Sequence, residues 1–162
     1  MAEEAETLLF QAEDDIASVE EPVLLKPTPP PIPEGTNRVY CIYDNAGGPR
    51  HSQSIFLESN AYGAGSGTLF HVIGSLNKGM IFETHVDLDP TQSPSFESRV
   101  YLGHVDVENH ARLEGICREV EVPGKQLRPN GKTIDRSKPL RRGADWVAEV
   151  VEALYREGVV VR

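Results

Sequence analysis

Short runs of β-branched and aromatic residues alternate with turns rich in glycine, proline and asparagine across residues 37–105. Runs of this composition are typical of half-buried strands. Within residues 51–57, strict alternation places His51 on the same face as Ile55 and Leu57. Short turns such as the one at residues 77–79 favour antiparallel neighbours. The pattern predicts five strands, at residues 38–43, 51–57, 68–74, 80–86 and 99–105.

Helical spacing replaces the strand pattern after residue 106. Apolar residues at i, i+3, i+4 and i+7 predict a first helix with one buried stripe, for which Asp106 is the expected N-cap. Residues 122–140 read as a long loop. A second helix is predicted from Ala144 to Glu157, with Gly158 as its C-cap and a short terminal strand over residues 159–161. The first stripe consists of Leu113, Ile116, Cys117 and Val120.

These elements predict an α+β domain over residues 37–162. Its mainly antiparallel sheet of five to six strands packs with two helices. The second helix has the wider apolar face, which includes Trp146, so this tryptophan is expected to be a core anchor.

Residues 1–36 differ from the rest in charge and composition. They hold nine acidic residues against one lysine, and so carry −8 of the chain's formal net charge of −9. Six of the twelve prolines lie in the run PVLLKPTPPPIP at residues 22–33. The segment is predicted to be a disordered acidic tail with a stiff polyproline spacer, or a ligand for an SH3 or WW domain.

Composition also narrows the classes of function. The nearly neutral domain offers no basic footprint for nucleic acid, and no apolar run is long enough to cross a bilayer. The N-terminus lacks the basic segment of a secretory signal. We therefore expect a soluble, cytoplasmic protein with no nucleic-acid or membrane partner. The oligomeric state stays open.

Several segments together resemble a largely uncharacterised fungal family of small papain-like proteins. They are the strand RVYCIYD, the histidine that follows a glycine-rich turn, the strand GTLFHVIG, the helix VENHARLEGI and the terminal helix DWVAEVVEALYREGVV. The resemblance covers residues 37–160. It implies a circularly permuted papain fold, related to NlpC-type peptidases and lecithin–retinol acyltransferases.

The resemblance also implies an arrangement of catalytic groups. In that family a strand histidine precedes a cysteine nucleophile at the start of a late helix, where the helix N-terminus lowers the thiol pKa. Family members tend to have Asn-Cys about three residues before the helix tryptophan. Here Gly143 stands at the cysteine position before Trp146, and His51 is followed by serine instead of the family's tryptophan.

Six residues remain as candidates for a site. By the resemblance, His51 and His71 are the candidate acid/base pair, facing each other across neighbouring strands. Asp145, in the first turn of the second helix and well placed against its dipole, is a candidate general base. Arg141 and Arg142 end a basic run ahead of a helix N-terminus, which is a natural position for an anion. Trp146 with Arg141 and Arg142 forms the expected ligand-binding set, and the alternative for the basic run is a solvated loop.

Neither cysteine is placed as a nucleophile. Cys117 lies in an apolar helical stripe and Cys41 inside a strand, so both are expected to be reduced, buried and unreactive, although one bridge between them is an alternative. The five histidines lack the spacing of a helical metal site, and His104 and His110 flank a helix start without forming one. We therefore expect neither a metal nor another cofactor.

The leading hypothesis is a catalytically degenerate papain-like domain that binds a small organic ligand or a protein partner in its cleft. The alternative is an enzyme that works without covalent chemistry, such as a cyclase or isomerase of fungal secondary metabolism. An enclosed apolar pocket near His51, His71 and Trp146 would favour the enzyme, and a flat or filled cleft would favour the binding module. A thiol hydrolase acting through Cys117 is the least favoured reading. Whether the chain is an enzyme stays open.

Overall fold

The computed structural model describes residues 28–45 and 51–162 of the chain. The chain divides into two units, residues 1–31 and residues 32–162. The second unit contains the sheet and both helices. The acidic tail was predicted to be disordered. Its residues 1–27 lie outside the described part of the chain.

Five strands form one antiparallel sheet in the order β4-β3-β2-β1-β5. All five lie where the apolar pattern predicts them, and the α+β class with a mainly antiparallel sheet is confirmed. The strands are β1 (Thr36–Asp44), β2 (Ser52–Glu58), β3 (Gly67–Ser75), β4 (Gly79–Asp87) and β5 (Phe96–Asp106).

The last strand does not continue beside β4. After a 3-10 turn at Pro90–Gln92, the chain returns across the sheet, and β5 pairs with β1 along its whole length, with Thr36 opposite Asp106. This leaves β4 and β5 at the two edges and makes β1 an interior strand. The connecting segment, residues 88–95, is polar, and its eight residues carry the chain from one edge of the sheet to the other.

Alternation along the strands divides the buried side chains between two faces of the sheet. We call the face covered by the helices the helix face and the opposite one the far face. Val39, Cys41, Ile55, Leu57 and Phe70 are buried on the helix face, whereas Tyr40, Ile42, Phe56 and Leu69 are buried on the far face.

Two helices pack on the helix face, α1 (His110–Glu119) and α2 (Gly143–Arg156). α1 buries the predicted stripe at Leu113, Ile116 and Cys117. The expected N-cap at Asp106 is wrong, because Asp106 ends β5 and its side chain makes no capping hydrogen bond. A 3-10 turn at Val107–Asn109 comes between them, so α1 begins one turn later.

α2 is held by its buried face and by both ends. Trp146 has no exposed surface and lies 5.8 Å from Phe82, measured between ring centroids. Gly158 adopts a φ of +70°, a left-handed conformation that ends the helix as predicted. The terminal strand is reduced to one antiparallel bridge, in which the Val161 and His104 backbones exchange hydrogen bonds of 2.8 and 3.0 Å.

Neither α1 nor α2, the helices of the described residues, combines the length and the apolar character needed to cross a membrane.

Replacement of Trp146 by alanine is expected to lower the free energy of unfolding by about 3–5 kcal/mol, because it removes the largest fully buried side chain from the helix-face core. Urea denaturation of the full chain measures the change. Glu152→Ala, an exposed change on the same helix, is the control and should shift stability by no more than about 0.5 kcal/mol. Equal, small losses in both variants would contradict the assigned role of Trp146.

Candidate functional site

A cleft of about 670 Å³ lies on the helix face, where the first turn of α2 approaches the ends of β1–β4. We call it the helix-face cleft. Its walls combine apolar and hydrogen-bonding side chains, so it has the composition of a ligand site more than of a core defect. The walls include Tyr43, His51, Gln53, Val72, Met80, Arg142 and Gly143.

His51 enters this cleft from the residue before β2. Its Nδ1 lies 2.5 Å from Oε2 of Glu97 on β5, and both side chains are about half exposed. The carboxylate engages Nδ1, and no residue of the described part of the chain hydrogen-bonds to Nε2. Alternation along β2 predicted the face of His51, and its presence in this cleft agrees.

The first turn of α2 supplies the opposite wall. The backbone N–H of Arg142 donates to Oδ2 of Asp145 at 2.7 Å, so this carboxylate caps the helix. Its negative charge also interacts favourably with the positive end of the helix dipole. Asp145 lines a different recess, next to Arg141, and the structure does not bring it into the cleft with His51. Local capping accounts for its position.

Gly143, the first residue of α2, lies at the position that the papain-like resemblance assigns to the nucleophile. A Cβ built on it would meet Cγ2 of Val72 at 3.5 Å, an ordinary van der Waals contact. The backbone therefore tolerates a small side chain here, directed toward a cleft wall. The native glycine offers no nucleophile.

The two arginines of the basic run point to different places. Arg141 pairs with Glu149, its Nε 2.9 Å from Oε2, and its backbone N–H and C=O are both bonded to the amide of Gln126 at 2.6 Å. Arg141 lines the recess that Lys138 and Asp145 share, whereas Arg142 lines the helix-face cleft. The run therefore does not converge on one anion site.

His71 lies on the far face of β3, away from this cleft. Its neighbour Phe70 is in the helix-face core, and alternation turns His71 to the side of Leu69. The expectation that His51 and His71 face each other is wrong, because the sheet lies between them. His71 lines a small recess of about 130 Å³ on the far face, the far-face cavity.

The surroundings of His71 hold a second group of titratable side chains. Its Nε2 lies 3.1 Å from Oε2 of Glu83, the residue directly opposite on β4. The ring of His85 approaches the His71 ring edge-on at 5.1 Å between centroids. One donor atom from each of these three residues lies within 4.8 Å of the others, the arrangement of a metal-ligand set.

The two cysteines are not placed for nucleophilic chemistry. Cys41 and Cys117 are both free and buried. Burial raises the pKa of the Cys41 thiol, and burial with the nearby carboxylate of Glu114 raises the pKa of Cys117 to about 12. The two free, buried thiols agree with the prediction that both cysteines are reduced. The alternative, a disulfide bridge between them, does not agree with the structure.

Sequence reasoning missed Glu97, Glu83 and His85. No local pattern indicates Glu97, because it comes beside His51 only through the return of β5 to β1. Glu83 and His85, by contrast, stand two apart in a predicted strand, and such residues share a face. The signal in the sequence is this i, i+2 spacing of a carboxylate and an imidazole within a strand, which a test for helical i, i+4 spacing does not detect.

Residues 39–161 match a family of unknown function, DUF6540. The chain belongs to this family. The match covers β2–β5, both helices, all but the first three residues of β1 and all six candidate residues. Comparison with curated proteins and with solved structures returned no match.

Both thiols of the native DUF6540 domain are expected to resist alkylation. With the thiol pKa of Cys117 near 12, very little thiolate exists at pH 8, and burial blocks access. Iodoacetamide labelling, followed by intact mass, should be at least about 100-fold slower in the native chain than in guanidine. Rapid labelling of one native thiol would contradict this and restore a candidate nucleophile.

Proposed function

We propose that this chain is a catalytically degenerate papain-like domain that binds a small organic acid without covalent chemistry in the helix-face cleft. The observation that carries the proposal is the meeting of His51 and Gly143 in one cleft. The papain-like resemblance assigns these two positions to the histidine and the nucleophile. A glycine in place of the thiol removes the chemistry and leaves the recess.

The size and lining of the cleft support a small-molecule ligand. Sites for such ligands are commonly 300–1,000 Å³, mostly apolar, with a few polar groups that orient the ligand. The cleft, at about 670 Å³, has apolar surface from Val72 and Met80 and polar groups from His51, Gln53 and Arg142. This is enough space for a molecule of about 15–25 non-hydrogen atoms.

The polar groups favour an acidic ligand. The guanidinium of Arg142 presents several N–H donors on one wall of the cleft. The Nδ1 of His51 faces the carboxylate of Glu97 and so carries the ring proton, which makes Nε2 of the neutral imidazole a hydrogen-bond acceptor. A carboxylate or another acceptor on the ligand would satisfy the donors of Arg142, whereas a cationic ligand would meet Arg142 unfavourably.

Binding is better supported than catalysis. The enzyme alternative expected an enclosed apolar pocket bounded by His51, His71 and Trp146. These residues lie in three separate places: the open helix-face cleft, the far face and the buried core. No wall shared by the three exists to orient a reacting substrate.

Titration of the ¹⁵N-labelled full chain with a panel of aromatic and aliphatic carboxylic acids should shift amide signals around His51, Val72 and Gly143. Arg142→Ala is expected to weaken the best acid about 10–100-fold, since a hydrogen bond to a charged group contributes about 1.5–3 kcal/mol. Arg141→Ala, the same change at the neighbouring residue of the other recess, is the matched control and should leave affinity unchanged. Shifts confined to other surfaces would contradict the proposal.

Replacement of Gly143 by cysteine tests the papain-like arrangement separately from binding. The new thiol would stand at the helix N-terminus, so its pKa is expected to fall below the ordinary value of about 8.5. Iodoacetamide rates against pH give the value, and the buried native thiols do not interfere. His51→Ala in this background should raise the thiol pKa if the imidazole stabilises the thiolate.

Ala148→Cys, an exposed site in the second turn of α2, is the control and should titrate near 8.5. A Gly143→Cys thiol that titrates like this control, or that does not respond to His51→Ala, would contradict the papain-like arrangement. Ligand binding in the cleft would be unaffected by that result.

A further inference from the structure

We propose that His71, Glu83 and His85 form a binding site for a divalent transition-metal ion on the far face of the β3–β4 hairpin. The site is independent of the helix-face cleft, because the sheet separates the two. We call the three residues the hairpin triad.

The backbone of the hairpin brings the triad together. β3 and β4 are antiparallel, with His71 directly opposite Glu83, which puts their Cβ atoms about 4.5–5.5 Å apart. Glu83 and His85 are two residues apart on β4 and so share a face, while Thr84 between them points to the other side. Two strands of fixed register therefore present two imidazoles and one carboxylate to the same place.

The donor atoms are close to coordination distance. One atom from each residue lies within 4.8 Å of the others, and Nε2 of His71 is 3.1 Å from Oε2 of Glu83. Ligand atoms of a tetrahedral zinc ion, each about 2.0–2.2 Å from the metal, stand about 3.3 Å apart. Glu83 and His85 are exposed, so small side-chain rotations suffice to close the remaining gap.

An ordinary ion pair accounts for only part of this arrangement. It uses His71 and Glu83 but not His85, whose ring stands edge-on to His71 at an interplanar angle of 72°. Two imidazoles at this separation gain from sharing a cation as ligands. A metal ion would use all three side chains at once.

The far-face cavity beside the triad gives independent support. Ser54 lines it together with His71 and His85, and is only 4% exposed, yet its Oγ has no hydrogen-bond partner among the described residues. Extending the β2–β3 register by one pair places Ser54 opposite His71. A buried hydroxyl without a partner carries a cost that a metal-bound water or a ligating histidine would remove.

Charge and donor type select the class of ion. Asp44 and Asp87 also line the cavity and add negative potential for a cation. Imidazole nitrogens with one carboxylate suit Zn²⁺, Ni²⁺ and Cu²⁺, whereas Ca²⁺ and Mg²⁺ prefer oxygen ligands alone. Three protein ligands leave a coordination position for water, as in catalytic zinc sites.

The test is isothermal titration of the tag-free full chain, after EDTA treatment and dialysis, with Zn²⁺ as the probe and Mg²⁺ as the control ion. The expected result is one Zn²⁺ per chain with a Kd of about 1 μM or below, and no heat from Mg²⁺. His85→Ala and Glu83→Gln should each weaken Zn²⁺ binding at least about 10-fold. Both side chains are exposed, and an exposed ion pair contributes at most about 1 kcal/mol, so the metal-free melting temperature should fall by no more than a few degrees.

His51→Ala is the matched control, because it also removes an exposed histidine paired with a glutamate but has no second imidazole beside it. Its Zn²⁺ affinity should stay within about twofold of the parent. A Co²⁺ derivative of the parent should show visible d–d absorption that His85→Ala abolishes. Absence of stoichiometric Zn²⁺ binding, or equal affinity in the parent, His85→Ala and Glu83→Gln, would overturn the proposal.

Discussion

Successive side chains of a β-strand point to opposite sides of the sheet, and this domain buries both sides of its interior strands. Val39 and Ile55 belong to the helix-face core, while Tyr40 and Phe56 are buried on the far face. A slip of one residue in the pairing of β1 with β2 would exchange these two sets and leave neither core filled. The register is therefore strongly specified. It also determines on which face of the sheet each polar side chain lies.

The positions of the helix-face cleft and the far-face cavity follow from that constraint. His51 lies on the helix face and meets the first turn of α2, while His71 lies on the far face and meets Glu83 and His85. Trp146, which has no exposed surface and packs beside Phe82, anchors the first turn of α2 on the sheet and so brings that turn to the cleft. Core packing thus positions Gly143 and Arg142, neither of which contributes to that core. The shape of the cleft therefore does not depend on a side chain at position 143.

The chemistry available on the two faces differs in kind. The helix-face cleft presents the guanidinium of Arg142 and the imidazole of His51 but no thiolate, since Gly143 has no side chain and burial raises the pKa of both native thiols. Such a surface supports the proposed binding of an acidic molecule and lacks the thiol that a cysteine mechanism requires. The far face offers imidazole and carboxylate ligands that suit a metal ion. Both surfaces therefore support the two binding proposals made above, one for an acidic ligand and one for a metal ion.

Local pattern alone located all five strands, both helices, the buried face of α2 and the left-handed Gly158, because burial periodicity and a glycine's freedom are properties of neighbouring residues. It also assigned His51 to the face of Ile55. The return of β5 to β1, the pairing of His51 with Glu97 and the separation of Arg141 from Arg142 were decided only by the tertiary structure. These depend on contacts between residues far apart in the chain, whose partners no local period encodes. The hairpin triad lies between the two cases: Glu83 and His85 share a face by sequence spacing, but the register between β3 and β4 is what adds His71.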